Sequence, residues 1–209
     1  LFPLRRSSHD DTRFSLHFRP ARSAGGIACW IAVPAQGCTG QPPLVAVHGI
    51  QRRARDLATA FGAAAAAQGR VVIAPLFDKT HWPSYQRAVI NGRADLALIA
   101  LLDELAHEGM ISGRRFTLFG YSGGAQFAHR FAMLYPHRVE HLVAAAAGWY
   151  TMPNGEAAFP YGCAAVEGRR LAWGPRRGAG RAARLHQRIT VLVGARDDQV
   201  DRRTRSTPQ

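Results

Sequence analysis

Apolar and polar side chains alternate from Arg13 to Arg19, with Phe14, Leu16 and Phe18 set against Ser15, His17 and Arg19. That period of two predicts a half-buried strand. Ile27 to Val33 reads as a second strand, and the connector through Gly25-Gly26 is longer than a tight turn, so an antiparallel pair is expected without a readable register. Beyond this point the pattern changes to short, uninterrupted apolar runs separated by helical stretches: Leu44–Val47, Val71–Ala74, Phe116–Phe119, Leu142–Ala147 and Ile189–Val193. Such runs are how a parallel sheet covered on both faces reads in sequence. Helices are predicted from about Ala54 to Gln68, from Arg93 to His107 with Leu96, Ile99, Leu102 and Leu105 at helical spacing, and from about Gly123 to Leu134. The last must stop near Tyr135, because Pro136 disfavours helical geometry in the residue before it. The expected architecture is α/β, a mostly parallel sheet with helices on both faces.

The segment from about Trp149 to Arg188 lacks strong periodicity and is longer than a plain crossover needs, which predicts a cap inserted after the sixth strand. No repeat or linker interrupts the 209 residues, so a single domain spanning 1–209 is expected. No apolar run approaches the length of a membrane helix, and the first residues lack the apolar stretch of a secretory signal. A soluble chain is expected, with the cytoplasm as its compartment, although a sequence that does not begin with Met leaves a lost targeting segment open.

Charge changes this picture only slightly. The formal net charge is +13, from 27 basic and 14 acidic residues, and Lys79 is the only lysine. A GC-rich coding bias accounts for the arginine and alanine excess. The basic stretch from Gly168 to Arg184 mixes arginine with Gly, Ala and Pro and carries no nucleic-acid motif, so it reads as a solvated surface and no nucleic-acid partner is expected. Cys29, Cys38 and Cys163 are odd in number and form no CxxC pair, which argues against a disulfide framework or structural zinc.

The candidate chemistry sits at the ends of strands. Gly120-Tyr121-Ser122-Gly123-Gly124 follows an apolar strand and opens a helix, the context of a nucleophile elbow. There Ser122 would occupy a strained turn, flanked by glycines because side chains would collide with neighbouring backbone. The Gly123 N–H, at a helix start, would meet the negative charge that develops when a carbonyl is attacked. His48-Gly49-Ile50 ends another strand and offers the Ile50 N–H as a second oxyanion donor, His48 itself reading as structural. Val191 to Asp198 is a strand ending in carboxylates, with Asp197 the first choice for a triad acid and Asp198 the second. Tyr121, Trp149 and Tyr150 are candidate substrate contacts. Two aromatic clusters, one of Phe77, His81, Trp82 and Tyr85 and one of Trp149, Tyr150, Phe159 and Tyr161, lie where open α/β sheets bind ligands, and read equally as packing. No residues show metal-ligand spacing and no phosphate-binding loop occurs, so neither metal nor cofactor is expected.

In the order and spacing of these motifs the chain resembles the α/β-hydrolase superfamily from about Arg13 onward. Val47-His48-Gly49, Phe119 to Gly124 and Val193 to Asp197 are similar to bacterial hydrolases of the polyhydroxybutyrate depolymerase and carboxylesterase type. The resemblance implies a serine hydrolase that cleaves an ester or related acyl bond of a small or polymeric substrate through an acyl-enzyme. It also implies a catalytic histidine after a further strand downstream of the acid, yet Gln199 to Gln209 contain none. The expectation is therefore a C-terminally truncated sequence lacking the last strand and helix of the fold; His186 is too early for the family order. The alternative is a scaffold of the same fold that binds without catalysing.

Overall fold

The computed structural model describes residues 13–90, 92–164 and 188–195. β1 (Phe14–Arg19) and β2 (Ala28–Pro34) open the chain as an antiparallel pair in which Phe14 faces Pro34 and Arg19 faces Cys29. Then follow β3 (Leu44–Val47), α1 (Ala54–Ala66), β4 (Val72–Leu76), α2 (Ala94–His107), β5 (Phe116–Tyr121), α3 (Gly123–Leu134), β6 (Val139–Ala145) and β7 (Arg188–Leu192). Among the described residues the strands form one sheet in the order β1-β2-β4-β3-β5-β6-β7. β2 meets β4 antiparallel, and every pairing from β4 to β7 is parallel.

Strand alternation divides the core between the two faces. Ile31, Val45, Val47, Ile73 and Leu118 point to one side, where Leu98, Leu102 and Leu105 of α2 and Phe127 and Phe131 of α3 close over them. Ala32, Ala46, Val72 and Ala74 point to the other, against Ala54, Ala58 and Ala65 of α1. Alanine on both sides of that second interface lets α1 approach the sheet closely. At Gly62 the approach leaves no room at all, because a Cβ there would fall inside 3.0 Å of the Phe14 ring. The helices thus cover both faces, as the uninterrupted apolar strands predict.

Buried charge ties the helices together at their ends. Asp95, fully buried in the first turn of α2, receives two hydrogen bonds from Arg93 (2.9 and 2.7 Å) and one from the Tyr135 hydroxyl (2.7 Å) after α3. Arg19 of β1 is likewise buried and paired with Glu104 of α2 and with Glu108 just after it, at 2.6 and 3.0 Å. Pairing of this kind is what permits a charge to sit in the core.

Several boundaries differ from the sequence expectation; α1 ends at Ala66, β4 runs to Leu76 and β6 ends at Ala145. β5 runs two residues further, to Tyr121, and β6 starts three earlier, at Val139, both extended by the parallel ladder that registers Tyr121 against Ala145. A 3-10 turn over Tyr85–Arg87 stands in the aromatic loop, where no periodicity announces it. Of the segment assigned to a cap, residues 165–187 lie outside the described residues, as does the arginine-rich stretch. No helix of the described residues is long and apolar enough to cross a membrane.

Candidate active site

Ser122 occupies the single position between the end of β5 and the start of α3. Its backbone has φ 53° and ψ −116°, a region that L side chains enter at a cost of about 1–3 kcal/mol. Surrounding structure holds it there. The Ser122 N–H donates to the Ala145 carbonyl at 2.8 Å, and its own carbonyl accepts from the Ala125 and Gln126 amides of α3. The glycines make the turn sterically possible: a Cβ on Gly120 would meet Gly124 backbone, and one on Gly124 would meet the carbonyl oxygens of Val47 and His48, in both cases inside 3.0 Å. α3 therefore packs directly onto the end of β3.

That contact brings His48-Gly49-Ile50 to the serine. A Cβ on Gly49 would lie 3.5 Å from the Cβ of Ser122, and one on Gly123 would lie 3.6 Å from the Ile50 nitrogen. Gly123 and Ile50 therefore share one corner beside Ser122.

His48 is buried and serves this corner through its ring. Its Nε2 accepts the Phe77 N–H at 3.0 Å, so that nitrogen carries no proton. The proton is then on Nδ1, which donates to the Gly49 carbonyl at 2.8 Å. Burial pushes its pKa down to about 4, the neighbouring Arg52 acting in the same direction against the bond to Gly49. Tyr85 donates its hydroxyl to the His48 carbonyl, and Arg52 bridges the carbonyls of Phe77 (2.8 Å) and Pro83 (3.2 Å) while lying 4.4 Å from the Tyr85 ring centroid. Phe77, Trp82 and Tyr85 are themselves buried, Phe77 stacking on Tyr85 and meeting Trp82 edge-on, so this cluster is packing that supports the corner; His81 is exposed and bonded to Asp78.

A cleft of about 480 Å³ opens at Ser122 and is lined by His48, Gly49, Ile50, Gln51, Arg53, Asp56, Leu57 and Tyr121. Tyr121 and Ile50 are 51% and 63% exposed there. Trp149 and Tyr150 do not line this cleft. They follow β6 on the α3 side, where the Tyr150 ring lies 5.0 Å from that of His129. His129 repeats the arrangement of His48: Nδ1 donates to Ala125 and Nε2 accepts the Thr151 N–H at 2.8 Å. Burial lowers its pKa to about 4 as well. Arg130, fully buried, donates from Nε to the Thr151 hydroxyl at 2.8 Å, and that hydroxyl donates to the Pro160 carbonyl.

The Ser122 hydroxyl has no hydrogen-bond partner among the described residues. Both ring nitrogens of His48 and His129 are occupied by backbone groups, so neither can accept its proton. Asp197 and Asp198 lie outside the described residues, as does His186. The strand that leads to them ends level with the serine: Tyr121 registers with Ala145, and Ala145 with Leu192 of β7. The roles of Gln51, Arg53 and Asp56 in lining the cleft, and of His129, Arg130 and Thr151 behind it, were not read from sequence. The first three lie within six residues after His48-Gly49-Ile50, which is a signal; the others are joined only by tertiary contact. Among the described residues no group of His, Cys, Asp or Glu is arranged to hold a metal.

No family model matches the chain, and no curated protein matches it in sequence. Solved structures do match. A poly(aspartic acid) hydrolase-1 from Sphingomonas sp. KT-1 is 24% identical over 93% of this chain and 76% of its own, with a TM-score of 0.72. A poly(3-hydroxybutyrate) depolymerase from Bordetella parapertussis is 22% identical over 87% and 84%, with a TM-score of 0.65. An S-formylglutathione hydrolase from Agrobacterium tumefaciens is 14% identical over 90% and 89%, with a TM-score of 0.59. With a strand-to-helix serine, a largely parallel sheet and these neighbours, the chain has the α/β-hydrolase fold.

Proposed function

We propose that the chain is a serine hydrolase that cleaves an ester or related acyl bond in a small or polymeric substrate. The observation that carries this reading is the backbone of Ser122, held at φ 53° at the mouth of a cleft with Ile50 and Gly123 beside it. Strain of this kind persists only where surrounding structure enforces it, and it clusters at reactive positions. In the proposed reaction the Ser122 hydroxyl attacks the acyl carbon and the N–H groups of Gly123 and Ile50 bind the oxyanion. Asp197 orients a histidine supplied from outside these 209 residues, which takes the serine proton and returns it to the leaving group, and water then releases the acyl group. The cap role of about 149–188 and the substrate contacts of Trp149, Tyr150 and Tyr121 belong to the same reading, with Tyr121 lining the cleft and Tyr150 lying beside His129 of α3. The structural neighbours named for poly(aspartic acid) hydrolysis, poly(3-hydroxybutyrate) depolymerisation and S-formylglutathione hydrolysis support a hydrolytic site on this fold.

One observation favours a second reading, a non-catalytic scaffold: no described histidine reaches the Ser122 hydroxyl. Labelling with a fluorophosphonate, followed by peptide mass mapping, separates the two. The hydrolase reading expects an adduct on Ser122 that disappears in Ser122→Ala. A folded chain that takes up no probe at Ser122 supports the scaffold when a longer chain that carries the histidine is equally unlabelled.

A further inference from the structure

We propose that the cleft beside Ser122 takes acyl substrates bearing a carboxylate, and that Arg53 holds it. The inference deepens the hydrolase reading and rests on it for the word substrate.

Three arginines, Arg52, Arg53 and Arg55, crowd the turn from β3 into α1. Two are committed to the scaffold. Arg52 bridges the carbonyls of Phe77 and Pro83 and covers Tyr85, and Arg55 lies over the Trp30 ring at 5.2 Å. Arg53 has no hydrogen bond, ion pair or ring contact among the described residues, and it lines the cleft with Ser122 as an exposed side chain.

Its position is unfavourable for the helix. Arg53 is the N-cap of α1 and makes no side-chain cap bond there. Ser, Thr, Asp or Asn would satisfy a free N–H of the first turn, and a cation at this end opposes the helix dipole. Residues that break a local rule without a packing return concentrate at functional sites. Asp56, which also lines the cleft, has a structural reason to be where it is: it stands in the first turn of α1, where the dipole favours a carboxylate. Among the described residues Arg53 is thus the cleft's one cation, uncommitted and placed against helix stability.

A guanidinium presents paired donors that match a carboxylate. The chain's net charge of +13 would raise the local concentration of such an anion without selecting it. Selection falls to Arg53, because the neighbouring cations are already engaged.

The test uses binding rather than turnover, so that it does not depend on an active serine. Monomethyl glutarate and dimethyl glutarate share a skeleton and differ by one charge. Ligand-observed NMR titration of each against the Ser122→Ala chain should show the monoester bound about tenfold more tightly, the size expected of one charge-assisted contact. Arg53→Gln should bring the ratio close to one, and Arg55→Gln, which removes the same charge from the same turn, should leave it nearly intact. Arg53→Gln should melt no lower than the parent, since it removes a cation from a helix N-terminus. Equal affinity for the two esters, absence of binding by either, or equal loss of the preference in both variants would overturn the proposal. A retained preference in a chain whose Ser122 takes up no fluorophosphonate, even when extended to carry the histidine, would instead remove the hydrolase reading and leave a carboxylate-binding site.

Discussion

At the scale of single residues, the elbow is set by what is missing from it. Gly124 has no side chain because the carbonyls of Val47 and His48 already fill that space. Backbone cannot swing aside as a side chain can, so Gly124→Ala must drive α3 away from β3. A loss of about 3 kcal/mol is expected, read as a lower urea midpoint at unchanged slope, together with loss of fluorophosphonate uptake at Ser122. The serine and its glycines were legible in the sequence because the turn's geometry dictates residue type directly. Arg53 was not singled out, since nothing local distinguishes it from Arg52 and Arg55; only their different tertiary partners do.

Among elements, α3 links the serine to the segment that follows β6. Its first residue adjoins Ser122, and one to two turns later His129 and Arg130 anchor Thr151. Thr151→Val keeps the shape but deprives Arg130 Nε of its acceptor and the Pro160 carbonyl of its donor. Because these groups are buried, a loss of about 2–3 kcal/mol in chemical denaturation is expected, whereas a change under 0.5 kcal/mol would contradict the anchoring role. The limits of α3 were readable at both ends, from the glycine-rich start and from Pro136. Strand ends were less so: Gly120 and Tyr121 look like turn residues in isolation and become strand only through pairing with β6. The 3-10 turn at Tyr85 likewise owes its place to burial against Phe77 and His48.

For the molecule as a whole, two neutral histidines link folding to pH. Burial lowers the pKa of both His48 and His129 from 6.5 to about 4. The unfolded chain binds protons at these sites from pH 6.5 downward and the folded chain does not, so stability is full above pH 6.5 and falls as pH drops toward 4. Each histidine contributes a slope of about 1.4 kcal/mol per pH unit within that window, and unfolding at pH 5.5 should take up about two protons. Urea midpoints measured from pH 7.5 to 4.5 check this, and a flat profile between 6.5 and 5 would refute it. The α/β architecture was legible because strands covered on both faces must be apolar throughout. These histidine bonds were not, because each joins residues 22 or 29 positions apart. The backbone of Ser122 also bears on whether the chain is still used for chemistry. Glycine relaxes at φ 53° where serine does not, so Ser122→Gly should raise the thermal midpoint above that of both the parent and Ser122→Ala. A protein freed from catalytic duty would gain stability by that one substitution, and the serine standing there now is the mark of a chain that has not taken it.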